Sequence, residues 1–345
     1  MLDETEIDRR ALLRFLAATT DPPRRVWKPV GNWRAPDTAE DVTQWSGVKT
    51  ELFPRVRTHD EKTGELLTPV RVPRVTYLDA SNKQAQGEFP GAAAFALGAG
   101  GAGVSKAAAA AALAKMTKKQ RREMGEWFGD EPSLGRALVH LKTVYLHDNK
   151  LDGDVGGLPN WSVLHSLVTL DLSGNTLRGR LDALRLPPTL KVLNLDQNYF
   201  KGPIDPLWFW GIPNVEILRL SGNRLKCAVP KRCWHYLPKL TALYLAQTML
   251  KGGVPKSVAD AKELEVLDLS ENDELDGEVP TSLLELRRLV DFRLVGCHRM
   301  TDTNGVLDRL RERDVEVVAW GAGVPPPKVK TKPPPPPDEE EEGEE

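Results

Sequence analysis

The chain is expected to form an α/β solenoid: an arc with a parallel β-sheet on its concave face, a helical N-terminal cap and a disordered C-terminal tail. Three observations predict this. A frame of apolar residues, LxxLxL followed by a polar position, returns seven times between Leu141 and Met300. The polar position recurs at almost constant intervals. Both ends of the chain leave the frame, one rich in tryptophan and the other in proline and then acid.

The frame reads LKTVYLHDNKLDGDV from Leu141, LVTLDLSGNTLRGRL from Leu167, LKVLNLDQNYFKGPI from Leu190 and VEILRLSGNRLKCAV from Val215. It continues as LTALYLAQTMLKGGV from Leu240, LEVLDLSENDELDGEV from Leu264 and LVDFRLVGCHRM from Leu289. The polar column is Asn149, Asn175, Asn198, Asn223, Thr248, Asn272 and Cys297, at spacings of 26, 23, 25, 25, 24 and 25. Self-similarity at such a period is the signature of stacked repeats, each burying its apolar face against its neighbours.

Each column has a physical role. The LxL triplet is a short strand, and its leucines point inward while the residues between them alternate outward. Where the chain leaves the strand, the amides of Asn149, Asn175, Asn198, Asn223 and Asn272 are placed to bond buried backbone groups of adjacent turns, as a structural ladder. Gly153, Gly179, Gly202 and Gly252 follow four residues later, where the turn needs backbone angles that other residues resist. Two outward columns face the concave side. The first reads Asp79, Tyr145, Asp171, Asn194, Arg219, Tyr244, Asp268, Arg293, and the second Ser81, His147, Ser173, Asp196, Ser221, Ala246, Ser270, Val295. Asp followed by Ser is polar filler. The departures, Tyr145, His147, Asp196, Arg219, Tyr244 and Arg293, are the candidate partner-binding residues, because aromatic and guanidinium groups dominate binding hot spots.

The columns LxxLxLxxNxLxGxxP, as in LDLSENDELDGEVP, resemble the plant-type leucine-rich repeat. The segment before them, DRRALLRFLAATTDPPRRVWKPVGNW and then QWSGV, is similar to the cysteine-free N-terminal cap of algal, oomycete and other microbial leucine-rich-repeat proteins. Trp27, Trp33, Trp45 and Val48 carry that likeness. Plant receptor ectodomains usually hold a cysteine pair around this element, whereas here Lys49 and Thr50 follow Val48. The resemblance implies a horseshoe or arc and a protein-binding role.

The expected organisation is a helical cap over 1–49, a loop or hairpin over 50–74 and a degenerate first repeat over 75–90. An Ala/Gly-rich insertion with a basic helix follows over 91–132, then repeats and a closing strand over 133–320. Residues 321–345 form a tail that cannot bury a core and reads as polyproline and then acid. The insertion's Lys115, Lys118, Lys119, Arg121 and Arg122 would suit an acidic partner.

Formal net charge is -2 over 345 residues, and the 44 basic and 42 acidic residues before Gly323 leave the body near neutral. That balance calls for neither nucleic acid nor a membrane surface. Three cysteines do not make a disulfide framework, and Met1–Arg10 has no apolar leader segment, so a cytoplasmic protein is expected. No HExxH, GxSxG, phosphate-cradling loop or zinc spacing occurs, so no catalytic residue, metal or cofactor is expected. The function expected is non-catalytic protein binding on the concave face by a monomer, without nucleic acid or membrane insertion. Two alternatives stand beside it. One is an assembly scaffold recruiting partners through the basic helix and the Pro/acidic tail; the other is an extracellular receptor-like ligand-binding domain.

Overall fold

The computed structural model describes residues 48–54, 71–79, 81, 86–88, 138–155, 161–231 and 233–319. The expected helical cap, the 91–132 insertion and the 321–345 tail lie outside the described residues.

In chain order the strands are β1 (Val48–Pro54), β2 (Arg71–Asp79), β3 (Gln86–Glu88), β4 (Thr143–Tyr145), β5 (Lys150–Asp154) and β6 (Thr169–Asp171). They continue with β7 (Thr176–Gly179), β8 (Val192–Asn194), β9 (Tyr199–Phe200), β10 (Ile217–Arg219), β11 (Ala242–Tyr244) and β12 (Lys251–Gly252). The last are β13 (Val266–Asp268), β14 (Glu274–Glu278), β15 (Asp291–Leu294), β16 (Arg299–Thr301) and β17 (Glu316–Ala319). One ten-stranded sheet runs β1-β2-β4-β6-β8-β10-β11-β13-β15-β17. It is parallel from β2 onward, and β1 adds antiparallel to β2 at one edge. Every repeat therefore gives one strand to the concave face, and β17 closes the row. The chain then turns through the Asn position to the flank, where β3-β5-β7-β9 and β12-β14-β16 form two smaller parallel sheets.

The leucine frame makes the core. Leu167, Leu170, Leu172 and Leu177 are fully buried, as are their counterparts Leu190, Leu193, Leu195 and Phe200. Side chains of the return half-repeats cover them from the convex side, including Trp208 and Phe209, Trp234, Val258, Leu283, Val306 and Leu310. Two short helices lie there, α1 (Pro206–Trp210) and α2 (Val306–Arg311). Asp205 caps α1 by accepting from the Leu207 N–H, while proline occupies the first turn, where its missing donor costs nothing.

The polar column holds this stack together. Asn223 Nδ2 donates to the carbonyls of Leu195 at 2.9 Å and Leu220 at 2.8 Å, and its Oδ1 accepts the Phe200 N–H at 3.1 Å. Asn175, Asn198 and Asn272 make the same bonds in their own turns. Each asparagine thus bonds backbone on both sides, satisfying polar groups that the solenoid buries where no strand can reach them.

The residue directly before the polar column has a left-handed backbone in every repeat: Asp148, Gly174, Gln197, Gly222, Gln247, Glu271 and Gly296, with φ between 54° and 75°. This second turn column escaped the sequence reading because only three of the seven are glycine. Its left-handed turn aims the next side chain inward. At Gly222 a Cβ would fall against the Gln197 side chain.

Candidate functional site on the concave face

The sheet's period of two sends three columns outward, one more than the sequence reading considered. The additional column precedes the first inward strand leucine and reads Tyr77, Thr143, Thr169, Val192, Ile217, Ala242, Val266 and Asp291. Strand register aligns its central members side by side, Val192 with Ile217, Ile217 with Ala242 and Ala242 with Val266. They form an apolar stripe across four repeats. The same alternation rule would have found it, had the frame been extended one step toward the N-terminus of each strand.

The candidate residues fall into two clusters and one outlier. At the N-terminal end, the Tyr145 ring meets Tyr77 edge-on, with centroids 5.7 Å apart, and lies 6.2 Å from His147. Lys49 Nζ sits 5.0 Å from the Tyr77 centroid, and His147 Nδ1 is 2.9 Å from Asp148. Burial pushes the Tyr77 hydroxyl up to about 12, and the neighbouring Asp79 adds to the effect. Burial also raises Tyr145, helped by Asp171 and Asp79. Both phenols stay neutral, and the Tyr77 hydroxyl donates to the Asp79 carboxylate. Tyr77 and Lys49 were not among the sequence candidates.

The central cluster joins Asp196, Arg219 and Tyr244. The Arg219 guanidinium stacks 4.0 Å from the Tyr244 ring centroid and lies 3.8 Å from the Asp196 carboxylate. Asp196 also accepts the Ser221 N–H at 2.6 Å. Even so, burial pushes its carboxyl up to about 6, with Arg219 opposing the shift and Asp171 and Asp268 adding to it. Asp171 and Asp79, by contrast, are satisfied locally, accepting from Ser173 and Ser81 two residues on. Asn194 links the two settings, donating to Asp171 and accepting from the Asp196 N–H.

Arg293 stands apart. It is tied to Asp291 on its own strand, at 2.9 Å through Nε and 2.6 Å through Nη2, and the pair is only 17% and 14% exposed. Asp291 holds the guanidinium charge in place. The arginine is committed to its own strand and not to the central cluster.

Cys227, Cys233 and Cys297 are free thiols. Burial pushes Cys233 up to about 12 and Cys297 up to about 11, and also raises Cys227, which keeps all three far from the reactive thiolate. Cys297 fills a ladder position and donates to the Leu269 carbonyl at 3.1 Å. Among the described residues, no cluster of three or more His, Cys, Asp or Glu could hold a metal ion, and no helix is long and apolar enough to cross a membrane.

Repeats of this period, a parallel concave sheet and a buried Asn ladder define a leucine-rich-repeat solenoid. The leucine rich repeat family matches residues 166–225 and 188–250. Residues 166–250 thus match the family's repeat, and the chain has the fold of a leucine-rich-repeat solenoid. No curated protein matches it in sequence. Among solved structures it is similar to the ectodomain of the Arabidopsis receptor kinase HAESA bound to an extended IDA peptide hormone, with TM-score 0.57 and 20% identity over 91% of this chain and 41% of that one. It is equally similar to HAESA in complex with IDA and the co-receptor SERK1, with TM-score 0.57 and 19% identity over 90% of this chain and 41% of the other. The chain spans about two fifths of the length of the HAESA chains it matches.

This comparison overturns the expectation of a cytoplasmic protein, because the matched leucine-rich repeats belong to a receptor ectodomain. The expectation leaned on cysteine scarcity. In a solenoid, the continuous leucine core and the Asn ladder already fasten each turn to the next, so a low cysteine count is a poor marker of compartment.

Proposed function

We propose that this chain is a non-catalytic binding module whose concave face holds a polypeptide partner, centred on Asp196, Arg219 and Tyr244. The carrying observation is the Asp196 carboxyl, raised to about 6 by burial while facing Arg219. Strongly perturbed carboxyls held beside a specific charged partner cluster at functional sites, where burial and neighbouring charge are arranged for use. The apolar stripe Val192, Ile217, Ala242 and Val266 beside it would supply desolvation, and the stacked Arg219–Tyr244 pair a rigid anchor. Tyr145 and His147, with Tyr77, form a second contact area about three strand spacings away, or roughly 14 Å. Arg293 and the scaffold reading gain less support, the first because the side chain is already paired. The peptide and co-receptor complexes of HAESA favour the receptor-like form of this reading, a ligand-binding domain outside the cell.

The test uses partners captured from the source organism and then purified. Binding to the native chain is compared with a Tyr244→Ala/Arg219→Ala double variant of unchanged thermal stability. Affinity should fall at least about tenfold, the effect of one hot-spot side chain. A partner that binds both forms equally refutes the assignment of this face.

A further inference from the structure

A second surface lies on the flank, where the chain leaves the Asn column. Leu177, Phe200 and Leu225 are buried there, so the residues on either side of each point outward. These are Thr176 and Arg178, Tyr199 and Lys201, and Arg224 and Lys226. The register is staggered, so the second outward residue of one turn faces the first of the next. Asp152 thus faces Thr176, Arg178 faces Tyr199, and Lys201 faces Arg224. A cleft of about 450 Å³ opens between these six residues. The Arg224 guanidinium lies 4.8 Å from the Tyr199 ring centroid, within cation–π range, and Tyr199 is 44% exposed. Arg178 pairs with Asp152 at 3.0 Å, and Lys251 with Glu274 at 2.7 Å. Lys201, Arg224 and Lys226 enter no ion pair among the described residues. On either side of them carboxylates match or outnumber cations. Asp152 and Asp154 stand against Lys150 and Arg178, and Glu274, Asp276 and Glu278 against Lys251 and Arg299.

We propose that this cleft binds a short acidic segment of a protein partner, whose carboxylates settle on Lys201, Arg224 and Lys226. The three cations stand on two neighbouring turns, about 4.8 Å apart as parallel strands are. Alternate side chains of an extended segment lie about 6.8 Å apart, so about two or three carboxylates reach all three cations. Each contact is a charge-assisted hydrogen bond, stronger than a neutral one. The Tyr199 ring holds the Arg224 guanidinium in place before binding, which lowers the cost of ordering it. Charge complementarity also limits the length of the ligand. A long polyanion, such as a sulfated polysaccharide, would run past the two basic turns onto flank that is neutral on one side and acidic on the other. The flank strands form a sheet separate from the concave one, so the site stands independently of the concave binding face.

Fluorescence anisotropy of the full chain with a fluorescein-labelled peptide containing Glu-Asp-Glu-Asp tests this, beside a control peptide containing Gln-Asn-Gln-Asn. The acidic peptide should bind with a Kd below about 1 mM, and the amide peptide at least about tenfold more weakly. A Lys201→Glu/Arg224→Glu variant with the native melting temperature should weaken binding at least about tenfold, and Lys201→Gln/Arg224→Gln should act in the same direction. Lys239→Glu/Lys256→Glu changes net charge equally elsewhere on the surface and should weaken binding less than about twofold. Raising NaCl from about 50 mM to about 300 mM should weaken native binding at least about fivefold. Three results overturn the proposal. One is a native chain that does not bind the acidic peptide below about 1 mM. Another is equal loss in the flank and control variants, which would make net charge the attraction. The third is a heparin oligosaccharide that binds more tightly than the peptide and is lost in the flank variant, which would make the ligand a sulfated glycan.

Discussion

Replacing Asn223 by alanine tests whether the ladder holds the solenoid or merely decorates it. In the native turn its side chain accepts the Phe200 N–H at 3.1 Å and donates to the Leu220 carbonyl at 2.8 Å and the Leu195 carbonyl at 2.9 Å. Leu195 keeps a second donor, Asn198 at 3.2 Å. The Phe200 N–H and Leu220 carbonyl lose the bond described here, at backbone flanked by fully buried side chains. An orphaned buried group costs about 1–3 kcal/mol, so the pair should cost about 4 kcal/mol. That would lower the melting temperature by roughly 10 °C for a domain of this size. Urea unfolding followed by circular dichroism measures it, through the midpoint and the slope together. Because a solenoid's stability is a sum over neighbouring interfaces, a broadened or two-step transition is also expected as the stack uncouples at that turn. A loss below about 1 kcal/mol with unchanged slope would refute the reasoning, since water would then be replacing the side chain at little cost.

Two further outcomes follow from single positions. Thr248 interrupts the asparagine column, and its hydroxyl reaches only the Leu245 carbonyl at 2.6 Å and Asn272 at 3.3 Å. Thr248→Asn should restore bonds to the preceding turn and raise stability by about 1 kcal/mol in the same urea assay, the net value of a typical hydrogen bond; a loss would mean that the turn cannot hold the longer side chain. Asp196 has a folded pKa of about 6, above the ordinary 3.8, so the folded state binds its proton more tightly than the unfolded chain does. Its contribution is therefore most favourable below about pH 4 and is lost as pH rises through about 6. Asp196→Asn should raise thermal stability at pH 7.5, by up to about 3 kcal/mol at 1.36 kcal/mol per pH unit, and leave it nearly unchanged at pH 4. Equal effects at both pH values would remove the burial argument.

What the sequence by itself determined was the architecture. Leucine spacing and the polar column are enough to specify a stacked solenoid, because each turn can bury its leucines only against the next one. The inward position of Asn175, Asn198 and Asn223 is legible for the same reason: a fixed phase relative to the strand allows them no other direction. The left-handed turn column is not legible, since Gln197 and Glu271 take angles that their own preferences oppose and that only the surrounding turn enforces.

The candidate site was half legible. Alternation in each strand indicates which side chains leave the core, but not which of them meet across turns. Only the tertiary structure decided that Arg219 stacks on Tyr244 beside a half-buried Asp196 while Arg293 is held by Asp291. Only it collected Arg178, Lys201, Arg224, Lys226 and Lys251, scattered over 74 residues of sequence, onto one flank. The physical reason is the stacking itself: it converts a sequence separation of one repeat into about 4.8 Å, so charge and ring contacts form between residues whose own segments carry no sign of them.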